Sequence, residues 1–189
     1  FALDEQYLPP SYNFIKGQSF NLGVHGEKVR NFKLATIPHL NINNILTLEN
    51  QFVTFEKNMR FGIIGNKFLR NYKLPSDWST LQILLERYEA KVHSPEKRFD
   101  FYPRFIDDKI IVGSILLNSQ AYKQGLRLND EIVTINNLNF KEDSYSKYCQ
   151  YLESRTQWEQ IELTVQKEDK QLEFIFKKRE VMKLLEREE

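Results

Sequence analysis

Over the first ninety residues the apolar positions recur every second residue, the period of strands with one buried face. In EKVRNFKLATI (Glu27 to Ile37), Phe32 and Leu34 alternate with Asn31 and Lys33. LNINNILTL and QFVTFE continue that period, with Pro38 and the Asn43-Asn44 pair as punctuation. The run FGIIGNKFL (Phe61 to Leu69) breaks it by setting Ile63-Ile64 between two of only seven glycines and adding Phe68-Leu69. Two glycines in a first helical turn cost about 1 kcal/mol each, so a buried, tightly turned segment is expected instead of a regular helix. A short helix at Asn66 to Asn71 and a strand at TLQILLERYE follow.

At His93 to Arg98 the texture turns polar and proline-containing, which sets a boundary between residues 1–92 and 97–189. Beyond it, KIIVGSILL and DEIVTINN read as strands. Residues 141–154 read as a helix carrying Tyr145, Tyr148, Cys149 and Leu152 on one face. QIELTVQKEDKQLEFIFKK reads as a hairpin turning at KEDK, and VMKLLEREE as a short amphipathic helix. The fold class expected is mostly β with minor α.

With 41% hydrophobic and 28% charged residues, the chain is globular and not disordered. A net charge of +1 offers no general attraction to nucleic acid or an anionic membrane, and no apolar run is long enough to span a bilayer. The first residue is Phe1, so the chain is expected to be a piece of a longer protein. Cys149 is the single cysteine and excludes an internal disulfide; its place on a helix face suits packing. His25, His39 and His93 lack ligand spacing, so neither a metal nor another cofactor is expected.

Residues 110–137, IIVGSILLNSQAYKQGLRLNDEIVTINN, resemble the core of a PDZ domain. Ser119-Gln120-Ala121, Gly125-Leu126, Asn129-Asp130 and Ile135-Asn136-Asn137 stand in the family's order, with Asn129 replacing its usual glycine. Asn tolerates the left-handed backbone such a glycine takes better than most residues. The resemblance implies that an extended peptide, often a protein C-terminus, is bound by strand addition beside a helix. It nominates Phe101 and Tyr102 in the loop before the first core strand, Ile110, Ile111 and Val112 on that strand, and Tyr145 and Tyr148 on the helix.

Gly62-Ile63-Ile64-Gly65-Asn66-Lys67-Phe68-Leu69 in turn resembles the segment that passes behind the catalytic loop of retropepsin-type aspartyl proteases. A retropepsin-like lobe followed by a PDZ domain is the order of a bacterial protease group, which implies the periplasm, the cell envelope or secretion. The alignment sets Asp4-Glu5-Gln6 on the catalytic triplet, Gly23-Val24-His25-Gly26 on the flap, and Ile63-Ile64-Gly65 as loop support. No Asp-Thr/Ser-Gly occurs in the sequence. The family's chemistry needs two carboxylates sharing one proton, one from each lobe, so a second lobe or a homodimer is implied for any activity. The chain is expected to be the C-terminal portion of an aspartyl-type endopeptidase, inactive alone, with a non-enzymatic peptide-binding scaffold as the competing reading.

Overall fold

Strands dominate because β-branched and aromatic residues hold alternate positions through most of the chain. The computed structural model describes residues 1–23, 26–42, 46–69, 72–80, 82–87 and 97–180. The tail helix expected at VMKLLEREE, together with Val24, His25 and His93, lies outside them. The fold is mostly β with open sheets.

By contacts the chain divides into two units: residues 1–12 with 35–96, and residues 13–34 with 97–189. The first holds β1 (Ala2–Asp4), a 3-10 turn (Glu5–Tyr7), and part of the long strand shared by both units. In chain order the strands between are β2 (Phe14–Gly23), β3 (Gly26–Ile42) and β4 (Leu46–Glu56). Residues 35–42 of β3 group with the first unit and residues 26–34 with the second.

In the first unit β4 lies between β1 and β3, and it pairs with β1 in parallel, Leu3 opposite Phe55. Val53 and Phe55 on β4 are fully buried, as the period-two pattern requires. α1 (Asn66–Leu69) follows, then four two-residue strands: β5 (Tyr72–Lys73), β6 (Ser76–Asp77), β7 (Gln82–Ile83) and β8 (Glu86–Arg87). β5 pairs with β8 and β6 with β7. The single strand expected at TLQILLERYE is therefore two short ones. Phe68 seats α1 between Phe1 and Tyr72, with ring centroids 5.1 and 4.7 Å away.

FGIIGNKFL departs from expectation. Its side chains are not buried: Phe61 is 75%, Ile63 51% and Ile64 41% exposed. The backbone, in contrast, is tied tightly. Ala2 N–H donates to the Ile63 carbonyl at 3.0 Å, and Ile63 N–H donates to the Ala2 carbonyl at 2.8 Å. The close approach falls at Gly62, where a Cβ would lie 2.9 Å from Cδ2 of Leu3. Gly65 has open space around it. The main chain at Ile63 thus pairs with Ala2, while the isoleucines project outward.

The second unit contains β9 (Lys97–Arg98), β10 (Phe101–Ile106), β11 (Lys109–Leu116), α2 (Gln120–Lys123), β12 (Glu131–Ile135), β13 (Leu138–Asn139), α3 (Ser144–Ser154), β14 (Gln160–Lys167), β15 (Lys170–Lys177) and β16 (Arg179–Glu180). Its sheet runs β3-β2-β11-β12-β14-β15, with β10 on β11 and β13 on β12. Phe101 to Phe105, expected as a loop, are strand. Asp107 and Asp108, both at positive φ, turn β10 into β11, since Asp accepts the left-handed region that most side chains avoid.

Between Ser119 and Asp130 the local chemistry fixes the chain's path. Ser119 caps α2, accepting from the Tyr122 N–H at 3.2 Å, and Ala121 is fully buried. Gly125 leaves that helix at φ +101°, and Asn129 sits at φ +70°. Asp130 orients the loop into β12, accepting from the Arg127 N–H at 2.7 Å and pairing with Lys167 at 3.1 Å. α3 is rotated from its expected face: Tyr151 is its buried anchor, while Tyr145 is 64% exposed. Among the described residues no helix is long and apolar enough to cross a membrane.

Candidate functional site

Asp4 closes β1 and N-caps the 3-10 turn. Its Oδ1 accepts from the Gln6 N–H at 3.0 Å and its Oδ2 from the Met59 N–H at 2.7 Å. Both carboxylate oxygens therefore hold main chain, one locally and one across 55 residues. Glu5 and Gln6 form the turn itself, and an open polar depression beside them is lined by Asp4, Glu5, Gln6, Lys57 and Asn58. Ile63 stands directly across from Ala2, two residues from Asp4, so the Ile-Ile-Gly run and the Asp-bearing strand do meet.

Gly23 ends β2 and Gly26, at φ +88°, opens β3. β2 lies between β3 and β11 in the sheet, and on β11 Ser19 opposes Ser114, Gln18 opposes Ile115 and Gly17 opposes Leu116. Sequence reasoning missed this docking. The ring of Phe32 covers Gly17 and leaves no room there for a Cβ. An aromatic and a glycine at matching distances from a turn were the available signal for the hairpin; nothing local marks β11 as its neighbour.

The second candidate lies between β10 and α3. β11 carries β10 along one side and β12 and β2 along the other, and its Ile110, Ile111 and Val112 are buried. Among the described residues the free edge on this side of the sheet therefore belongs to β10. Main-chain groups of an antiparallel strand point alternately toward and away from the partner. The Asp100 carbonyl accepts from the Leu116 N–H at 2.8 Å, so Asp100 points at β11 and Phe101, Pro103 and Phe105 point outward. Consistent with this, the Tyr148 hydroxyl donates to the Pro103 carbonyl at 3.3 Å from the α3 side.

Aromatic rings fill the space above that edge. Phe105 meets Tyr145 edge-on at 5.5 Å and Tyr148 stacked at 6.0 Å. Tyr148 stacks on Tyr151 at 5.9 Å. At the opposite end the Arg155 guanidinium sits 4.8 Å over Tyr102, which is 39% exposed. Burial, with Tyr102 adding to it and Arg155 opposing, pushes the Tyr148 phenol up to about 12, so it remains a donor throughout the neutral range. Tyr102, Tyr145 and Tyr148 are thus gathered along this edge, joined by Pro103, Phe105 and Arg155, which the sequence did not single out; the Phe101 ring is instead buried in the core against Phe99 and Phe176.

Neither candidate presents a metal-ligand set: among the described residues no group of three His, Cys, Asp or Glu side chains could hold an ion. Comparison of the chain with models of protein families, with curated proteins and with solved structures finds no match in any of the three.

Proposed function

We propose that this chain is a peptide-binding protein of the retropepsin-plus-PDZ type, in which the second unit captures extended peptides, C-termini included, by strand addition to β10. The observation that carries the reading is the free edge of β10 set beside α3 and its aromatic side chains. A strand edge supplies main-chain hydrogen bonds, and neighbouring aromatic rings supply apolar contacts for alternate side chains of the ligand. The order of α2, the Gly125 turn, Asn129-Asp130 and β12 supports the PDZ assignment.

The first unit fits a retropepsin-like lobe that has lost its catalytic turn. The crossing of Ala2 with Ile63 supports the lobe assignment, and each Asp4 oxygen accepts one backbone N–H, which fixes the carboxylate in place. Tyr7, Phe61, Trp78, Ile83 and Leu84 are 64% or more exposed, which favours a second lobe or second copy in the assembled protein. Should that assembly restore proteolysis, pepstatin-sensitive cleavage would accompany it.

The test is hydrogen exchange on the 189-residue protein with peptides selected from a random displayed pool. Strand addition is expected to protect the Phe101 and Phe105 amides, which point outward, and to leave Tyr102 and Arg104 unchanged. Selected peptides that bind without protecting those two amides would sink the reading.

A further inference from the structure

The free edge of β10 is not uniform. Phe101 and Phe105 each offer an N–H and a carbonyl outward, but Pro103 between them has no N–H and offers its carbonyl alone. That carbonyl already has a partner, the Tyr148 hydroxyl at 3.3 Å. Proline on an edge strand is a common way of discouraging strand pairing, and here the remaining acceptor at the same position is also covered. The Tyr148 side chain is held in place by rings on two sides, Phe105 at 6.0 Å and Tyr151 at 5.9 Å. Tyr151 is itself buried, so the latch is anchored to the core of the second unit.

We infer that Tyr148 is a latch on the peptide groove: its hydroxyl occupies the Pro103 carbonyl that an added strand must take, and a ligand binds by exchanging the phenol O–H for one of its own backbone N–H groups. The inference rests on the strand-addition reading above and specifies its chemistry. The peptide residue opposite Pro103 must carry an N–H, so proline or an N-methylated residue is excluded there. Its carbonyl meets no donor from Pro103, so the main-chain grip is strongest at Phe101 and Phe105, one on each side of the gap.

The experiment uses the full chain and the peptides selected above, with affinity read by calorimetry. Tyr148→Phe keeps the ring and its stacking but removes the competing donor. Because a net hydrogen bond is worth about 1 kcal/mol, the variant is expected to bind about three- to tenfold more tightly and to melt a few degrees lower, since the free protein loses that same bond. An N-methyl scan of the peptide is expected to find a position where methylation abolishes binding to both proteins, between the residues that protect Phe101 and Phe105. Equal or weaker binding by a folded Tyr148→Phe protein, while those two amides are still protected, overturns the latch and leaves strand addition standing. Loss of protection at both amides overturns the two together. Should Tyr148→Phe not fold, Pro103→Ala tests the same edge by restoring an N–H: tighter binding is expected, and unchanged binding overturns the inference.

Discussion

Asp4 shows how a residue can keep its place and change its work. Each oxygen of Asp4 accepts one backbone N–H, which ties the carboxylate to main chain at two places. Its contribution on this geometry is to hold β1 against the loop at Met59. Asp4→Ala is therefore expected to lower stability by about 1–3 kcal/mol in denaturant unfolding, because two donors lose their partner. Asp4→Asn, which keeps one acceptor, should cost less. Equal stability of all three proteins would show that the two hydrogen bonds are not what fixes this turn.

Among the elements, β10 and β11 depend on a glycine for a reason unrelated to turning. A Cβ on Gly113 would lie 2.5 Å from Cβ of Arg104 and 3.2 Å from its Cδ. The absence of a side chain at Gly113 lets Arg104 lie across β11 and donate through Nη1 to the Phe20 carbonyl on β2. Phe20 in turn packs with Ile106 and Ile111. Gly113→Ala is expected to destabilise the protein by about 1–3 kcal/mol, as overpacking does, and to raise exchange at β2 amides before those of β14. Equal exchange in the two strands would show that Arg104 does not tie the hairpin to β11.

The same elements mark what could be read from the sequence. β11, β12, the β14–β15 hairpin and α3 were legible because period and local turn chemistry agree: Ile161, Leu163 and Val165 are all buried, and Asn129 takes the conformation its residue type allows. The exact face of α3 was not, since Tyr145, Tyr148 and Tyr151 offer three aromatic residues at helical spacing and only packing chooses among them. FGIIGNKFL misled in a similar way. Hydrophobicity alone cannot say whether Ile63 and Ile64 face inward. The groove was legible in part: its aromatic residues were named, but the free edge depends on which strand flanks β11, a long-range choice with no local code.

For the molecule as a whole, Asp100 sets the clearest dependence on conditions. It is buried, its Oδ2 accepts from the Gln120 N–H at 3.2 Å, and its Oδ1 has no hydrogen-bond partner among the described residues. Burial raises its pKa, against the opposing pull of Arg179 and the N–H groups of Ala121 and Gln120. The folded state then holds a proton that the unfolded chain releases from about pH 4, so stability falls as pH rises from there through the folded pKa. Asp100→Asn is expected to remove that decline in a series of melting temperatures across pH 3 to about pH 7. A variant whose decline matches the parent would assign the slope to other carboxylates.

β3 contributes residues to both units, and β2 pairs with a strand about a hundred positions further along the chain. The backbone passes from one unit to the other at residues 12–13, 34–35 and 96–97. In genetic terms the two halves are therefore not exchangeable cassettes. A recombination breakpoint at the polar segment near His93 would carry off β10 to β15 but leave behind the hairpin that completes their sheet. A new host would inherit an uncovered strand edge, so descent favours transfer of the whole chain over transfer of either half.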